Sequence, residues 1–166
     1  VENQVKLFIL CSPHNPVGRV WSKEELKRIG DICIKHNVVI FSDEIHADFV
    51  YPGNKHTVFA SLGEEYAQNA VIATAPSKSF NIAGLQVSNI FIENKKLKDA
   101  FKNEIVKSGY SQMNTMGLVA ARAAYKSGQE WLDAVREYIK GNLDFLRDYL
   151  KENIPQVKLI EPEGTY

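Results

Sequence analysis

Val38-Val39-Ile40-Phe41-Ser42-Asp43-Glu44-Ile45-His46 is the stretch on which the fold turns. An unbroken apolar run of this length, rich in β-branched residues, reads as a strand covered on both faces. It ends on charged residues. Just upstream, Asn37 closes a helix that opens at Ser22. The Ser22 hydroxyl can cap, Glu25 stands three residues later as its capping-box partner, and Leu26, Ile29, Ile32 and Cys33 repeat at helical spacing. Before that helix lies a second apolar run, Val5-Lys6-Leu7-Phe8-Ile9-Leu10-Cys11, which breaks at the turn residues Ser12-Pro13-His14-Asn15-Pro16. Strand, crossover helix and strand make a parallel β-α-β unit, and the fold class is α/β.

Working outward, a third strand is predicted at about Ala70 to Ala75 and a fourth at about Val87 to Glu93. The connection Pro76 to Gln86 has no helical period and is short for a parallel crossover, so these two strands are expected to run antiparallel in a mixed, mostly parallel sheet. Helices are predicted at about Lys95 to Lys107 and Thr115 to Ser127. A longer one, from about Gln129 to Glu152, places Trp131, Val135, Tyr138, Ile139, Leu143, Leu146 and Leu150 on one side. Pro155 stops that pattern, and Val157 to Ile160 is expected to begin a new strand. A long helix running into a fresh strand suggests a domain change near residue 130, dividing the chain into 1–130 and 131–166. The abrupt start and the ending Glu163-Gly164-Thr165-Tyr166 read as the middle of a longer polypeptide.

Composition narrows the function classes. The 166 residues carry 20 Lys plus Arg against 20 Asp plus Glu, a formal net charge of zero, which excludes nucleic-acid or anionic-membrane binding through bulk charge. Hydrophobic residues make up 45% of the chain, enough for a packed core. No apolar run approaches the ~18 residues of a membrane span. Cys11 and Cys33 both sit in apolar segments and read as buried free thiols of a reducing cytoplasm.

Asn15 with Pro16, Asp43, His46 and Lys78 fall just past the carboxyl ends of the first three strands, where open α/β sheets place their ligands. Each has a plain structural reading. Asn15 before proline is a turn residue, His46 a hydrogen-bonded histidine, and Lys78 a solvated residue of the polar turn Ser77-Lys78-Ser79. Asp43 is harder to dismiss, because a carboxylate ending an apolar strand needs a cation or hydrogen-bond donors. Glu44 points the other way on an extended strand and reads as one half of a structural ion pair.

Together, three motifs arrive in a recognisable order: His14-Asn15-Pro16-Val17-Gly18-Arg19, then Ser42-Asp43-Glu44-Ile45-His46-Ala47-Asp48, then Ala75-Pro76-Ser77-Lys78-Ser79-Phe80-Asn81-Ile82-Ala83-Gly84-Leu85-Gln86. They resemble the fold type I (aspartate aminotransferase) superfamily of pyridoxal-phosphate enzymes, and within it the MalY/PatB-type cystathionine β-lyase branch. The ending Pro162 to Tyr166 resembles that family's entry into its small domain. The resemblance implies part of a large cofactor-binding domain followed by the start of a small one. It implies pyridoxal 5'-phosphate as cofactor, with Lys78 as its covalent anchor and proton carrier. Asp43 would lie against the pyridinium nitrogen and Asn15 on the phenolic oxygen. Ser77 would touch the phosphate, with Thr74 and Ser79 as weaker candidates. The lysine amine must be neutral to act, so burial and the nearby cofactor are expected to depress its pKa.

Departures from the aminotransferase pattern point toward the lyase branch. His46, counted by the resemblance among the cofactor-binding residues, stands where many aminotransferases have a tyrosine that meets the phenolic oxygen, and Gln86 where many have a phosphate-gripping arginine. Gln86 cannot make a bidentate charged contact. Ala75 stands where some relatives have serine, so phosphate must be held largely by groups outside the chain, such as a helix N-terminus upstream. The activity implied is α,β-elimination of cystathionine- or cysteine-type substrates. The alternatives are an aminotransferase of the same fold and a non-catalytic cofactor-sensing domain of a transcription regulator. The implied partners are a small amino-acid substrate and a second copy in a homodimer, with no nucleic acid, membrane or metal. Tyr51 is a candidate for reaching the neighbouring subunit or a plain surface tyrosine, and His56 has no assigned role.

Overall fold

The computed structural model describes residues 3–110 and 112–166. Strand β1 (Leu7–Cys11), helix α1 (Lys23–Lys35) and strand β2 (Val39–Asp43) form the expected β-α-β unit, with β1 and β2 parallel. The capping box at Ser22 is present: Glu25 N–H donates to Ser22 Oγ at 3.3 Å and Ser22 N–H donates to Glu25 Oε2 at 3.0 Å. A 3-10 turn (Phe59–Leu62) and the short helix α2 (Glu64–Gln68) carry the chain to strand β3 (Ala70–Thr74), parallel to β2. Helix α3 (Pro76–Ser79) and a 3-10 turn (Ala83–Leu85) then turn it back into strand β4 (Asn89–Phe91), antiparallel to β3. The sheet order is β1-β2-β3-β4, the mixed arrangement the short connection required. Helices α4 (Lys95–Lys107), α5 (Thr115–Ser127) and α6 (Gln129–Asn153) follow.

The core lies on one face of this sheet. Leu10, Ile40 and Ile72 pack there against Leu26 and Cys33 of α1 and against Phe59. The α1 stripe is Leu26, Gly30 and Cys33; Ile32 lies a third of a turn off that line and is exposed. Cys11 and Cys33 are free thiols, with burial pushing both above their ordinary pKa.

Four expectations change. Strand β2 is buried on one face: Ile40 and Ser42 are inside, while Val39, Phe41 and Asp43 are half-buried. Helix α1 covers only one side, and Ile9 of β1, which lies beside Phe41 on the other side, is 67% exposed. Second, Pro76 to Ser79 is a single helical turn, with proline at its first position, where the missing N–H costs nothing. Third, the long helix, joined to α5 through Gly128, buries only a narrow stripe of its surface. Val135, Ile139, Leu143 and Leu150 are half-buried, but Trp131, Tyr138 and Leu146 stay exposed. Fourth, Val157 to Ile160 forms no strand. A strand needs a neighbour's free N–H and C=O groups, and no edge among the described residues meets this segment; it starts instead with a turn, Val157 N–H to Ile154 O at 2.9 Å.

Candidate active site

Three loops meet at the carboxyl edge of the parallel strands. The loop after β1 is closed by paired His14 and Arg19 and by Gly18 N–H donating to His14 O at 2.7 Å. It brings Asn15 to the loop after β2, where Asn15 Nδ2 lies 3.4 Å from His46 Nε2. His46 is 3% exposed, its Nδ1 has no partner among the described residues, and its ring meets Tyr166 edge-on at 5.3 Å. Burial holds the imidazole below its ordinary pKa; Asp43 pulls the other way, and Lys78 pushes further down. Asp43 and Lys78 therefore both act on the same ring.

Asp43 ends β2 with its carboxylate turned back on the loop, where Oδ1 accepts from Ile45 N–H at 3.1 Å. Its other oxygen has no donor among the described residues. Lys78 stands on α3 and lines a cavity of about 350 Å³ with Ser77, Asn81, Phe49, Trp131 and Tyr166. Its side chain is exposed, so these residues alone do not supply the burial expected around the amine. Ser77 is half-buried at the cavity wall. The two weaker phosphate candidates are engaged elsewhere: Ser79 donates its hydroxyl to Asp48, and Thr74 Oγ1 accepts from Asn89 at 3.3 Å.

Glu44 has the structural role read from strand alternation, more elaborately than a simple ion pair. It is 2% exposed and accepts three hydrogen bonds at 2.9 Å, from Ser42 Oγ, Phe59 N–H and His56 Nε2. His56 thereby acquires its role, across twelve residues of loop. Sequence reading missed Phe49 and Trp131 as cavity walls, and Asp48 as the partner of Ser79. Asp48 ends the motif that carries His46 and Phe49 directly follows it, so position alone was a signal. Trp131 gave none, since a helix-start tryptophan reads as core. A second cavity of about 470 Å³ is lined by Tyr51, Lys55, His56 and Arg136. It contains none of Asn15, Asp43, His46 or Lys78, and the chemistry is not assigned to it.

The profile of the family described as "Aminotransferase class I and II" matches residues 1–166. The chain belongs to the class I and II aminotransferase family. Among curated family relatives, cystathionine beta-lyase PatB of Bacillus subtilis (strain 168) is 43% identical over 162 residues, covering 98% of this chain and 42% of PatB. Among solved structures, cystalysin from Treponema denticola, which contains a pyridoxal 5'-phosphate cofactor, superposes with a TM-score of 0.94 at 40% identity, over 99% of this chain and 43% of cystalysin. The PLP-bound C-S lyase from Staphylococcus hominis gives a TM-score of 0.89 at 39% identity, over 97% of this chain and 40% of that one. The chain thus spans about 42% of the length of the curated relatives it matches. Family membership fixes the fold as that of the fold type I enzymes, in agreement with the mixed sheet.

Proposed function

We propose that this chain forms part of a pyridoxal-phosphate-dependent carbon–sulfur β-lyase acting on cystathionine- or cysteine-type substrates. The observation that carries the reading is the meeting of Asn15, Asp43, His46 and Lys78 at one sheet edge, beside a cavity. The named lyase relatives and the His46 and Gln86 departures favour elimination over amino-group transfer. The overall reaction balances as an S-substituted cysteine plus water giving a thiol, pyruvate and ammonia.

The residues present fit the cofactor. Lys78 offers an amine at a cavity wall, Asp43 has a carboxylate oxygen without a donor, and His46 Nδ1 is buried and unpartnered among the described residues. When bound, pyridoxal phosphate supplies an electron-withdrawing ring that stabilises negative charge at the substrate α-carbon. Lys78 would hold the cofactor through its amine, and the same amine, when free, would accept the substrate α-proton. Asp43 would keep a proton on the ring nitrogen. Asn15 would donate to the phenolic oxygen, backed by His46 at 3.4 Å, and Ser77 would donate to phosphate. Trp131, Phe49 and Tyr166 wall the cavity with aromatic surface and limit water.

Residues 1–130 are read as part of the large cofactor-binding domain, and 131–166 as the linking helix and the start of a small domain. The enzyme is read as a cytoplasmic homodimer, in keeping with two free thiols; Tyr51, the candidate for reaching a neighbour, is half-buried in this chain. Among the described residues no helix is long and apolar enough to cross a membrane.

The test is the full-length protein with pyridoxal phosphate and L-cystathionine, without a keto acid. Release of pyruvate and ammonia in equal amounts is expected. Transfer of the amino group to an added keto acid, with no pyruvate released from cystathionine, would overturn the lyase reading in favour of the aminotransferase.

A further inference from the structure

Helix α3 is a single turn, Pro76–Ser79, and a helix that short has no cooperativity of its own. The direction in which Lys78 projects therefore depends on what holds its neighbours. Two tethers do so. Phe80 packs edge-on against Tyr125 and tilted against Trp131, each with ring centroids 6.0 Å apart. It sits so close to Gly128 that a Cβ there would lie 2.5 Å from the ring. Ser79, the residue after the lysine, is 1% exposed, and its hydroxyl donates to Asp48 Oδ2.

Asp48 belongs to the loop that leaves β2, just beyond Asp43 and His46. That loop is folded on itself by Ala47 N–H to Glu44 O at 3.0 Å and by Phe49 N–H to His46 O at 2.9 Å. The Asp48–Ser79 bond spans 31 residues. Among the described residues it is the side-chain hydrogen bond that joins the Asp43–His46 motif to the Lys78 motif. A buried hydroxyl on a carboxylate is a charge-assisted bond, among the stronger kinds, and losing the acceptor would leave Ser79 Oγ buried and unpaired.

We propose that Asp48 is a positioning residue. Through Ser79 it fixes the rotation of α3, and so aims the Lys78 amine into the cavity shared with Phe49, Asn81 and Tyr166. The inference rests on the reading of Lys78 as the cofactor lysine.

The experiment compares Asp48→Ala, Ser79→Ala, their double variant and Asp48→Asn in the full-length protein. Three quantities are measured: amide hydrogen exchange at Ser79, Phe80 and Ile82 without cofactor, the rate at which the lysine-linked cofactor absorbance appears on adding pyridoxal phosphate, and kcat against KM. Each alanine variant is expected to speed exchange and to slow both capture and kcat by about tenfold, the effect of losing one charge-assisted bond. KM should stay within about twofold, because substrate binding is not what the tether serves. The double variant should be no worse than either single one. Asp48→Asn keeps a carbonyl acceptor and should recover most of the loss. Parent-like exchange and capture in both alanine variants, or additive losses in the double variant, would overturn the proposal. Should Asp48→Ala fail to fold, Ser79→Ala and Asp48→Asn still decide it. Lys78→Ala separates the two readings. If it keeps the absorbance, the assignment of Lys78 fails, whereas the exchange of the cofactor-free protein still reports on the tether.

Discussion

If Lys78 and Asp43 hold different ends of the cofactor ring, as proposed, their replacement has different consequences. Replacing Lys78 with alanine removes both the covalent anchor and the proton carrier, so the lysine-linked absorbance and turnover of the full-length enzyme should vanish together. Asp43→Ala leaves the anchor but lets the ring nitrogen lose its proton. Cofactor should remain visible while kcat falls by at least about a hundredfold, the scale of removing a preorganised charge; undiminished turnover would take Asp43 out of the mechanism. His46 makes a second kind of prediction. Burial lowers its pKa in the folded chain, so the unfolded state takes up a proton first as pH falls. The neutral ring therefore contributes its full stability above its unfolded pKa, near 6.5, and that contribution is lost as pH falls from there toward the lower folded value. Urea midpoints measured from pH 7 to 5.5 should fall less steeply in His46→Asn than in the parent. Equal slopes would show that His46 titrates alike in both states.

At the scale of elements, legibility followed from how local the determining forces are. The Ser22–Glu25 box was readable because both partners lie within one turn, and the antiparallel β3–β4 pair because the chain between them is too short for a crossover. Val157 to Ile160 has strand composition but no neighbour among the described residues, and no property of the segment itself reveals that. The run Val38 to Ser42 looked buried on both faces because hydropathy does not say which elements cover a sheet. Asp43 and Glu44 were separated correctly by alternation alone, but the donors of Glu44 come from Ser42, His56 and Phe59 by way of a loop whose path the sequence does not disclose. Gly30 tests the packing of α1. A Cβ there would lie 2.5 Å from the Tyr66 ring, which is itself fixed by its hydroxyl donating to Asp31 at 2.7 Å and by Phe59 edge-on. Gly30→Ala gains about 1 kcal/mol of helix propensity but forces a packed ring to move, at about 1–3 kcal/mol. A net loss of about 1 kcal/mol is expected in denaturant unfolding, and a rise in stability would show that the ring yields freely.

At the scale of the whole molecule, the C-terminal segment of the chain returns to the loops of the site. Glu163 N–H and Gly164 N–H donate to Gly18 O at 2.7 and 3.0 Å, and Val20 N–H donates to Glu163 Oε2 at 2.8 Å. On the other side Tyr51 N–H donates to Glu163 O at 2.9 Å and Thr165 N–H to Phe49 O at 2.8 Å. The segment is a strap laid between the Asn15 loop and the His46 loop, and it delivers Tyr166 edge-on to both His46 and Phe49, at 5.3 and 5.2 Å. Its close fit depends on Gly164, where a Cβ would lie 2.7 Å from Phe49 O and 2.8 Å from Val20 Cγ2. The first of these is backbone and cannot swing aside. Gly164→Ala should therefore separate the two loops, costing about 1–3 kcal/mol of stability. Because the strap bonds to both the loop of Asn15 and the loop of His46, the same change should weaken cofactor retention in the full-length enzyme by about tenfold or more, since each 1.4 kcal/mol is tenfold. Gly53→Ala is the control: a Cβ there meets nothing within 4 Å, although its positive φ of 92° adds backbone strain. Its stability should fall while cofactor retention does not. Equal loss of retention in the two variants would mean that any destabilisation releases cofactor, and that the strap has no particular hold on the site.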